Sequence, residues 1–317
     1  MIARRSDPDL RELVETFFRS TFSTDNAVIT EAVRRMLAAG GKRLRPRITL
    51  LAADACGGNA VDQLYLAAYM ELIHVATLIH DDVVDNATTR RGVNATAVDY
   101  GNRVSVLAGD YLFAWIFKNV TAGYPPPVPN VLSATLADIC DGEVLQLQSL
   151  GNLDLSPDAY VEIARKKTAS LFAASAECGA IMGGGNAGEI AGLREFGDAF
   201  GVAFQMKDDV LDLTADERSL GKPVGNDLTE RKVTIPMIEA LGAGDPNFTA
   251  QVRRFYSERD NRGIPSVVEG IERQGGLAAT RTRIAGFVAR AKKALEPIAA
   301  GTAKEELAHL ADALLEE

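Results

Sequence analysis

The sequence predicts an all-α fold, and three observations carry that reading. Most segments are rich in Ala, Leu, Glu and Arg, with apolar residues at three- and four-residue intervals. Sustained polar/apolar alternation, the mark of a half-buried strand, is scarce. Helix breakers fall between the periodic segments, at Gly40-Gly41, Gly57-Gly58-Asn59, 123–130, Gly151-Asn152, 183–186, 221–225 and 242–247. They delimit helices and not domains, and no long polar linker interrupts them, so a single domain over 1–317 is expected.

Taken in order, the segment after Gly57-Gly58-Asn59 is the most informative. A helix is expected from near Asp62 through Tyr65, Ala68, Leu72, Val75 and Ile79, ending at a polar loop, 85–92, that holds Arg90 and Arg91. The stretch 119–137 is uncharged, yet Pro125, Pro126, Pro127 and Pro129 forbid one continuous helix there. The tail from Ala278 to Glu317 is again helical in pattern.

Composition narrows the function. Of 317 residues 47% are hydrophobic and 24% charged, a globular balance able to bury a large core. A net charge of −9 lacks the broad basic surface that nucleic acid or an anionic membrane demands. Cys56, Cys140 and Cys178 include no short-spaced pair, which disfavours a disulfide framework or a thiolate zinc site. The charged segment Met1 to Asp9 has no apolar signal core, no uncharged run makes a membrane span, and a cytoplasmic protein is expected.

Two acidic clusters carry the chemistry. Asp81-Asp82-Val83-Val84-Asp85 repeats as Asp208-Asp209-Val210-Leu211-Asp212 in a similar apolar setting. Residues four apart share a helix face, so Asp81 aligns with Asp85 and Asp208 with Asp212. Such carboxylates repel unless neutralised, and Mg²⁺ suits them because it takes a few carboxylate oxygens and completes its shell with water and substrate phosphates. A diphosphate held by two acidic helices is the reading that follows. Arg90 and Arg91 could grip phosphate oxygens bidentately or simply neutralise the nearby aspartates.

The residues then resemble a known family, the trans-type polyprenyl diphosphate synthases. The resemblance rests on Gly40-Gly41-Lys42-Arg43-Leu44-Arg45-Pro46, the first aspartate motif with Arg90-Arg91-Gly92, Lys167-Thr168, Phe204-Gln205 before the second aspartate motif, Gly221-Lys222, and Asp227 to Lys232. These elements are individually weak and jointly specific. The resemblance implies a large helical bundle around a central cavity, usually as a homodimer, in which an allylic diphosphate such as farnesyl or geranylgeranyl diphosphate ionises and isopentenyl diphosphate attacks the cation.

By the same resemblance Asp81, Asp85 and Asp208 are the principal ligands of three Mg²⁺ ions, with Asp82, Asp209 and Asp212 in support. Arg90, Lys167, Lys222 and Lys232 match the allylic-diphosphate clamp, and Lys42, Arg45, His74 and Arg91 the isopentenyl diphosphate pocket. Thr168 and Gln205 match positions whose oxygens face the allyl cation, and Glu143 and Gln146 match positions near the metal shell. On the residues alone, Lys42 to Arg47 is a basic surface run, His74 a core histidine, Thr168 and Gln205 a capping or core pair, and Glu143 with Gln146 a solvated face.

Product length is read from the helix preceding Asp81, along which the family's growing chain runs. Met70, Ile73, Ala76 and Thr77 line that stretch, and short-chain makers commonly have an aromatic residue where this chain has Ala76 or Thr77. One helical turn rises about 5.4 Å, near one extended isoprene unit, so small residues there imply a product of roughly thirty to fifty carbons, usual for quinone side chains. Ordinary close helix packing also explains Ala76 and Thr77. Two other functions compete: a class I terpene cyclase, which normally pairs one aspartate-rich motif with a different second site, and a non-catalytic subunit of a heteromeric synthase, which typically lacks aspartates. A His-Asp metal phosphohydrolase, suggested by His80-Asp81, would need more than the three histidines present.

Overall fold

The computed structural model describes residues 10–90, 92–214, 225–258 and 260–316. Arg91 and Lys222 lie outside them. Among the described residues the only strands are a two-residue pair, and everything else regular is helical. The chain resolves into two compact units.

The first unit contains the chain up to Ser133 with Ala174–Arg194 and Pro297–Lys304. Its axis is α4, Leu64–Val84, against which pack α1 (Leu10–Thr21), α2 (Ala27–Ala38), α3 (Leu44–Ala55), α5 (Thr96–Tyr100) and α6 (Asn102–Gly123). A helix apolar all round has to be buried; Leu66, Met70, Leu72, Ile73, Val75, Ala76 and Ile79 of α4 are all 0–1% exposed. A 3₁₀ turn at Ala60–Gln63 precedes α4, so the element begins as a tighter turn two residues upstream of Asp62 and becomes α-helical at Leu64.

The loop entering α3 is held by Arg43, which adopts the left-handed region at φ 49 after Gly40 at φ 79. Its guanidinium donates to Glu15 Oε1 at 2.7 Å, Glu71 Oε1 at 2.8 Å and the Leu37 carbonyl at 2.7 Å. Arg43 and Glu71 are 3% and 2% exposed, so the basic run is anchored at its centre by a buried ion pair. Lys42 before it is exposed, and Arg45 in the first turn of α3 is buried.

The second unit contains Ala134–Ala173, Glu195–Glu296 and Glu305–Glu317. It holds most of α7 (Pro127–Gln148), all of α8 (Pro157–Ala164), the start of α9 (Ser170–Met182) and the C-terminal two thirds of α10 (Ala187–Thr214). Helices Ile235–Gly242, Pro246–Glu258, Ile264–Arg273 and Gly276–Ala294 follow. The break expected in 119–137 lies between Gly123 and Pro127, and the helical tail is divided between Ala294 and Thr302.

Between α8 and α9 the helix loosens into a π turn at Arg165–Ala169, closed by the Ser170 amide on the Arg165 carbonyl, a five-residue step. The sequence runs through this point with an unbroken helical pattern. Glycines on two neighbouring helices leave room for the turn to pack closely against them. A methyl added at Gly142 of α7 would come within 2.5 Å of the Lys167 backbone nitrogen, and one at Gly201 of α10 within 2.4 Å of Ala169 Cα. Single π turns of this kind are frequent at functional sites.

Candidate active site

In the first unit the aspartate motif occupies the last turn of α4. Asp81 and Asp85 are half-buried, one turn apart, with the Asp85 amide donating to the Asp81 carbonyl at 2.8 Å. Asp82 is 0% exposed. The expected polar loop is a tight ribbon, β1 (Thr89–Arg90) against β2 (Val93–Asn94), turned at Gly92 with φ 78. The ribbon folds Arg90 back onto Asp82, where Nε and Nη2 meet Oδ1 at 2.7 and 2.6 Å. Burial pushes the Asp82 carboxyl above the usual carboxylate range, while Arg90 pulls it down. Its other oxygen, Oδ2, is buried and accepts no hydrogen bond.

His80 is accounted for by packing. Its Nε2 lies 3.1 Å from the Val106 carbonyl and 3.4 Å from Asp110, over Gly109 of α6, where a methyl would fall within 2.2 Å of the ring. His74 lies half-buried on α4, and α3, which carries Arg45, packs along that helix. Met70, Ile73 and Ala76 are fully buried; Thr77 is half-buried, with its hydroxyl donating to the His74 carbonyl at 2.8 Å.

The second unit gathers more of the candidate residues. A cavity of about 100 Å³ is lined by Lys167, Thr168, Gln205, Asp209 and Lys232, with Gln146, Tyr160 and Asp227. The π turn makes this possible because its successive side chains reach two helices. Arg165 Nε donates to Asp198 of α10 at 3.0 Å, Lys166 pairs with Asp141 of α7, Lys167 bonds Glu143 and Gln146 of α7, and Thr168 turns back to α10. Glu143 and Gln146 therefore serve as the seat of the Lys167 ammonium.

Thr168 Oγ1 donates to Gln205 Oε1 at 2.7 Å, and Gln205 Nε2 donates to Asp209 Oδ1 at 2.9 Å. The hydroxyl of Tyr160 on α8 donates to the other oxygen, Asp209 Oδ2. Asp209 is 3% exposed, and burial raises its carboxyl above the ordinary range against the pull of those two donors. Asp212 is 2% exposed and accepts the Asp227 amide at 3.1 Å through Oδ2; Asp208 is half-buried. Both motifs thus mix half-exposed with buried carboxylates. Lys232 pairs with Glu230, and the Tyr256 hydroxyl donates to the Lys232 carbonyl at 2.9 Å. A larger open cleft, about 780 Å³, runs past Thr229, Glu230 and Arg231 and is crossed by an Asp154–Arg253 ion pair at 3.7 Å, but it holds none of the candidate residues.

Comparison with known proteins decides the family. The polyprenyl synthetase family model matches residues 26–271. The chain belongs to the polyprenyl synthetase family. It is a prenyltransferase with the all-α isoprenoid synthase fold. Its sequence is 37% identical over 292 residues to a short chain isoprenyl diphosphate synthase of Methanothermobacter thermautotrophicus, covering 91% of this chain and 90% of that one. It is equally 37% identical over 290 residues to an octaprenyl diphosphate synthase of Escherichia coli, again with 91% and 90% covered. A crystal structure of a polyprenyl synthase from Caulobacter crescentus, complexed with calcium and isoprenyl diphosphate, superposes with a TM-score of 0.92 at 36% identity, covering 97% and 94%.

In this polyprenyl synthetase some residues that line or shape the cavity are not singled out by the sequence alone. Tyr160 lies seven positions before Lys167 with no spacing rule to mark it, and that the Asp227 backbone amide would meet Asp212 is written in no local pattern. Gly142 and Gly201 give one visible signal, each a helix-weakening residue inside a strong helical pattern next to a motif. Among the described residues no three His, Cys, Asp or Glu side chains form a closed metal cage, and no helix is long and apolar enough to cross a membrane. In the first unit half-exposed Asp81 and Asp85, with Asp82 Oδ2 left without a donor, and in the second unit half-exposed Asp208, each offer carboxylate oxygens of the kind that suits Mg²⁺, which is normally bound by one or two carboxylates plus substrate phosphates.

Proposed function

We propose that this enzyme elongates an allylic diphosphate, such as farnesyl or geranylgeranyl diphosphate, with isopentenyl diphosphate to an all-trans product of about thirty to fifty carbons, on the scale set by helix rise. Products of that size suit quinone side chains. The observation that carries the reaction is the cavity in which Lys167, Thr168, Gln205 and Lys232 meet beside the second aspartate motif.

Asp81, Asp85 and Asp208 would hold Mg²⁺, three ions by the family resemblance, with Asp82, Asp209 and Asp212 fixing the surrounding network. When bound, Mg²⁺ neutralises charge on the leaving diphosphate oxygens. Lys167 and Lys232, with Arg90 and Lys222, bind the allylic diphosphate, and Lys42, Arg45, His74 and Arg91 bind isopentenyl diphosphate. Thr168 and Gln205 direct oxygen lone pairs at the allyl cation, where fixed dipoles stabilise developing charge without a covalent bond. That the Caulobacter polyprenyl synthase is complexed with calcium and isoprenyl diphosphate supports a divalent cation and a prenyl diphosphate as ligands here.

Relatives making short and long products match equally well, so product length rests on this chain's own residues. Ala76 and Thr77 offer little bulk one turn before Asp81, and the Thr77 hydroxyl is bonded back to its own helix, leaving a methyl as its outward part. We propose further that the whole chain acts as one domain, in the cytoplasm, as a homodimer. Val106, Leu107 and Tyr111 on α6, at 39, 61 and 39% exposure, support a covered face there. Asp81→Ala and Asp208→Ala test the metal assignment: each is expected to abolish Mg²⁺-dependent turnover with an unchanged melting temperature, and near-wild-type activity in either refutes it.

A further inference from the structure

We infer that Tyr160 is a positioning residue for the ionisation step: through Asp209 it fixes the amide of Gln205, which in turn orients the hydroxyl of Thr168. The inference rests on the reading of Thr168 given above. Asp209 has two oxygens and two donors, Tyr160 on Oδ2 and the Gln205 amide nitrogen on Oδ1. With its nitrogen committed to a carboxylate, Gln205 has only its oxygen to offer Thr168. The Thr168 hydroxyl proton goes to that oxygen, at 2.7 Å. A hydroxyl has one proton and two lone pairs, so Thr168 Oγ1 then has only lone pairs for the cavity. An oxygen with its proton turned away is what an allyl cation requires.

The chain is polarised in one direction. The Gln205 amide nitrogen faces Asp209 and its oxygen faces Thr168, so the amide dipole draws the Thr168 proton and leaves Oγ1 more negative; hydrogen bonds in series strengthen one another in this way. Without Tyr160, Asp209 Oδ2 would be a buried acceptor lacking its donor, and the carboxylate would relieve that by rotating toward another donor. That rotation frees the Gln205 amide to flip and present nitrogen to Thr168.

A double-mutant cycle between Tyr160→Phe and Thr168→Val tests the chain. Tyr160→Phe removes one oxygen and keeps the ring. It is expected to lower kcat about tenfold, the scale of one hydrogen bond to a charged group, with KM for isopentenyl diphosphate unchanged within about twofold. If Tyr160 acts through Thr168, the double variant is no slower than Thr168→Val alone. Multiplicative losses, or wild-type kcat in Tyr160→Phe, overturn the positioning role while leaving the Thr168 reading in place. An undiminished Thr168→Val overturns both. Should Tyr160→Phe fail to fold by circular dichroism, Tyr160→Met, which likewise removes the hydroxyl, enters the same cycle with the same expected outcome.

Discussion

The close approach at Gly201 gives a prediction whose size follows from the coordinates. A methyl at Gly201 would lie 2.4 Å from Ala169 Cα, 2.7 Å from Ala169 Cβ and 3.1 Å from Phe172 Cδ2. Carbon atoms rest at roughly 3.5–4 Å, so Gly201→Ala must part the π turn from α10 by about 1 Å. Two of the blocking atoms belong to Ala169, one of them backbone, and cannot swing aside. The same displacement stretches the Thr168–Gln205 bond from 2.7 Å to beyond hydrogen-bonding range. Overpacking of this kind costs about 1–3 kcal/mol, and a large domain loses roughly 2–4 °C of melting temperature per kcal/mol. Misplacing the reacting groups by about 1 Å can cost a further 100-fold in rate. Circular-dichroism melting and steady-state kinetics with the allylic substrate varied measure both. Gly286→Ala is the control: no atom lies within 4 Å of the added methyl, inside a helix, where alanine is expected to stabilise by about 0.5–1 kcal/mol. A Gly201→Ala enzyme with unchanged melting temperature and kcat would refute the packing argument for the site.

Three further outcomes are expected. Lys42→Ala and Arg45→Ala should mainly raise KM for isopentenyl diphosphate, and Lys167→Ala should mainly impair the allylic substrate; equal effects of all three on both substrates would rule out two separate pockets. Arg43→Ala should destabilise by about 3–5 kcal/mol, because it strands Glu71 unpaired in the core; that corresponds to a melting temperature lower by roughly 6–20 °C, and a change of less than about 2 °C would contradict the anchoring role. Ala76→Tyr should shorten the product to about fifteen to twenty carbons, by blocking one helical turn above Asp81, with early condensations intact. A destabilised enzyme making the original length would show instead that Ala76 is a packed core contact, consistent with its complete burial.

The elements legible in the sequence are those written in local pattern. Glycine clusters mark the ends of α2, α3 and α9, the four prolines mark the break after α6, and continuous apolarity marks α4 as a buried axis. The aspartate motifs were readable because residues four apart share a face whatever the tertiary context. What could not be read depends on which helices meet. The π turn at Arg165–Ala169 packs against Gly142 and Gly201 on other helices, and the Tyr160–Asp209 bond joins residues 49 positions apart. Within the basic run 42–47, sequence cannot tell Arg43, buried on Glu71, from Lys42, exposed at the loop. The alternatives left open for Arg90 meet in the structure as its bond to Asp82, an observation that does not preclude phosphate binding.

The most direct test of the account is the product itself. Purified enzyme is incubated with Mg²⁺, farnesyl diphosphate and labelled isopentenyl diphosphate, the diphosphates are hydrolysed, and the alcohols are separated by reversed-phase chromatography. The account predicts label in all-trans polyprenols of about thirty to fifty carbons, the length allowed by small residues one turn above Asp81. Label confined to geranylgeraniol, or found in cyclic hydrocarbons, would contradict it.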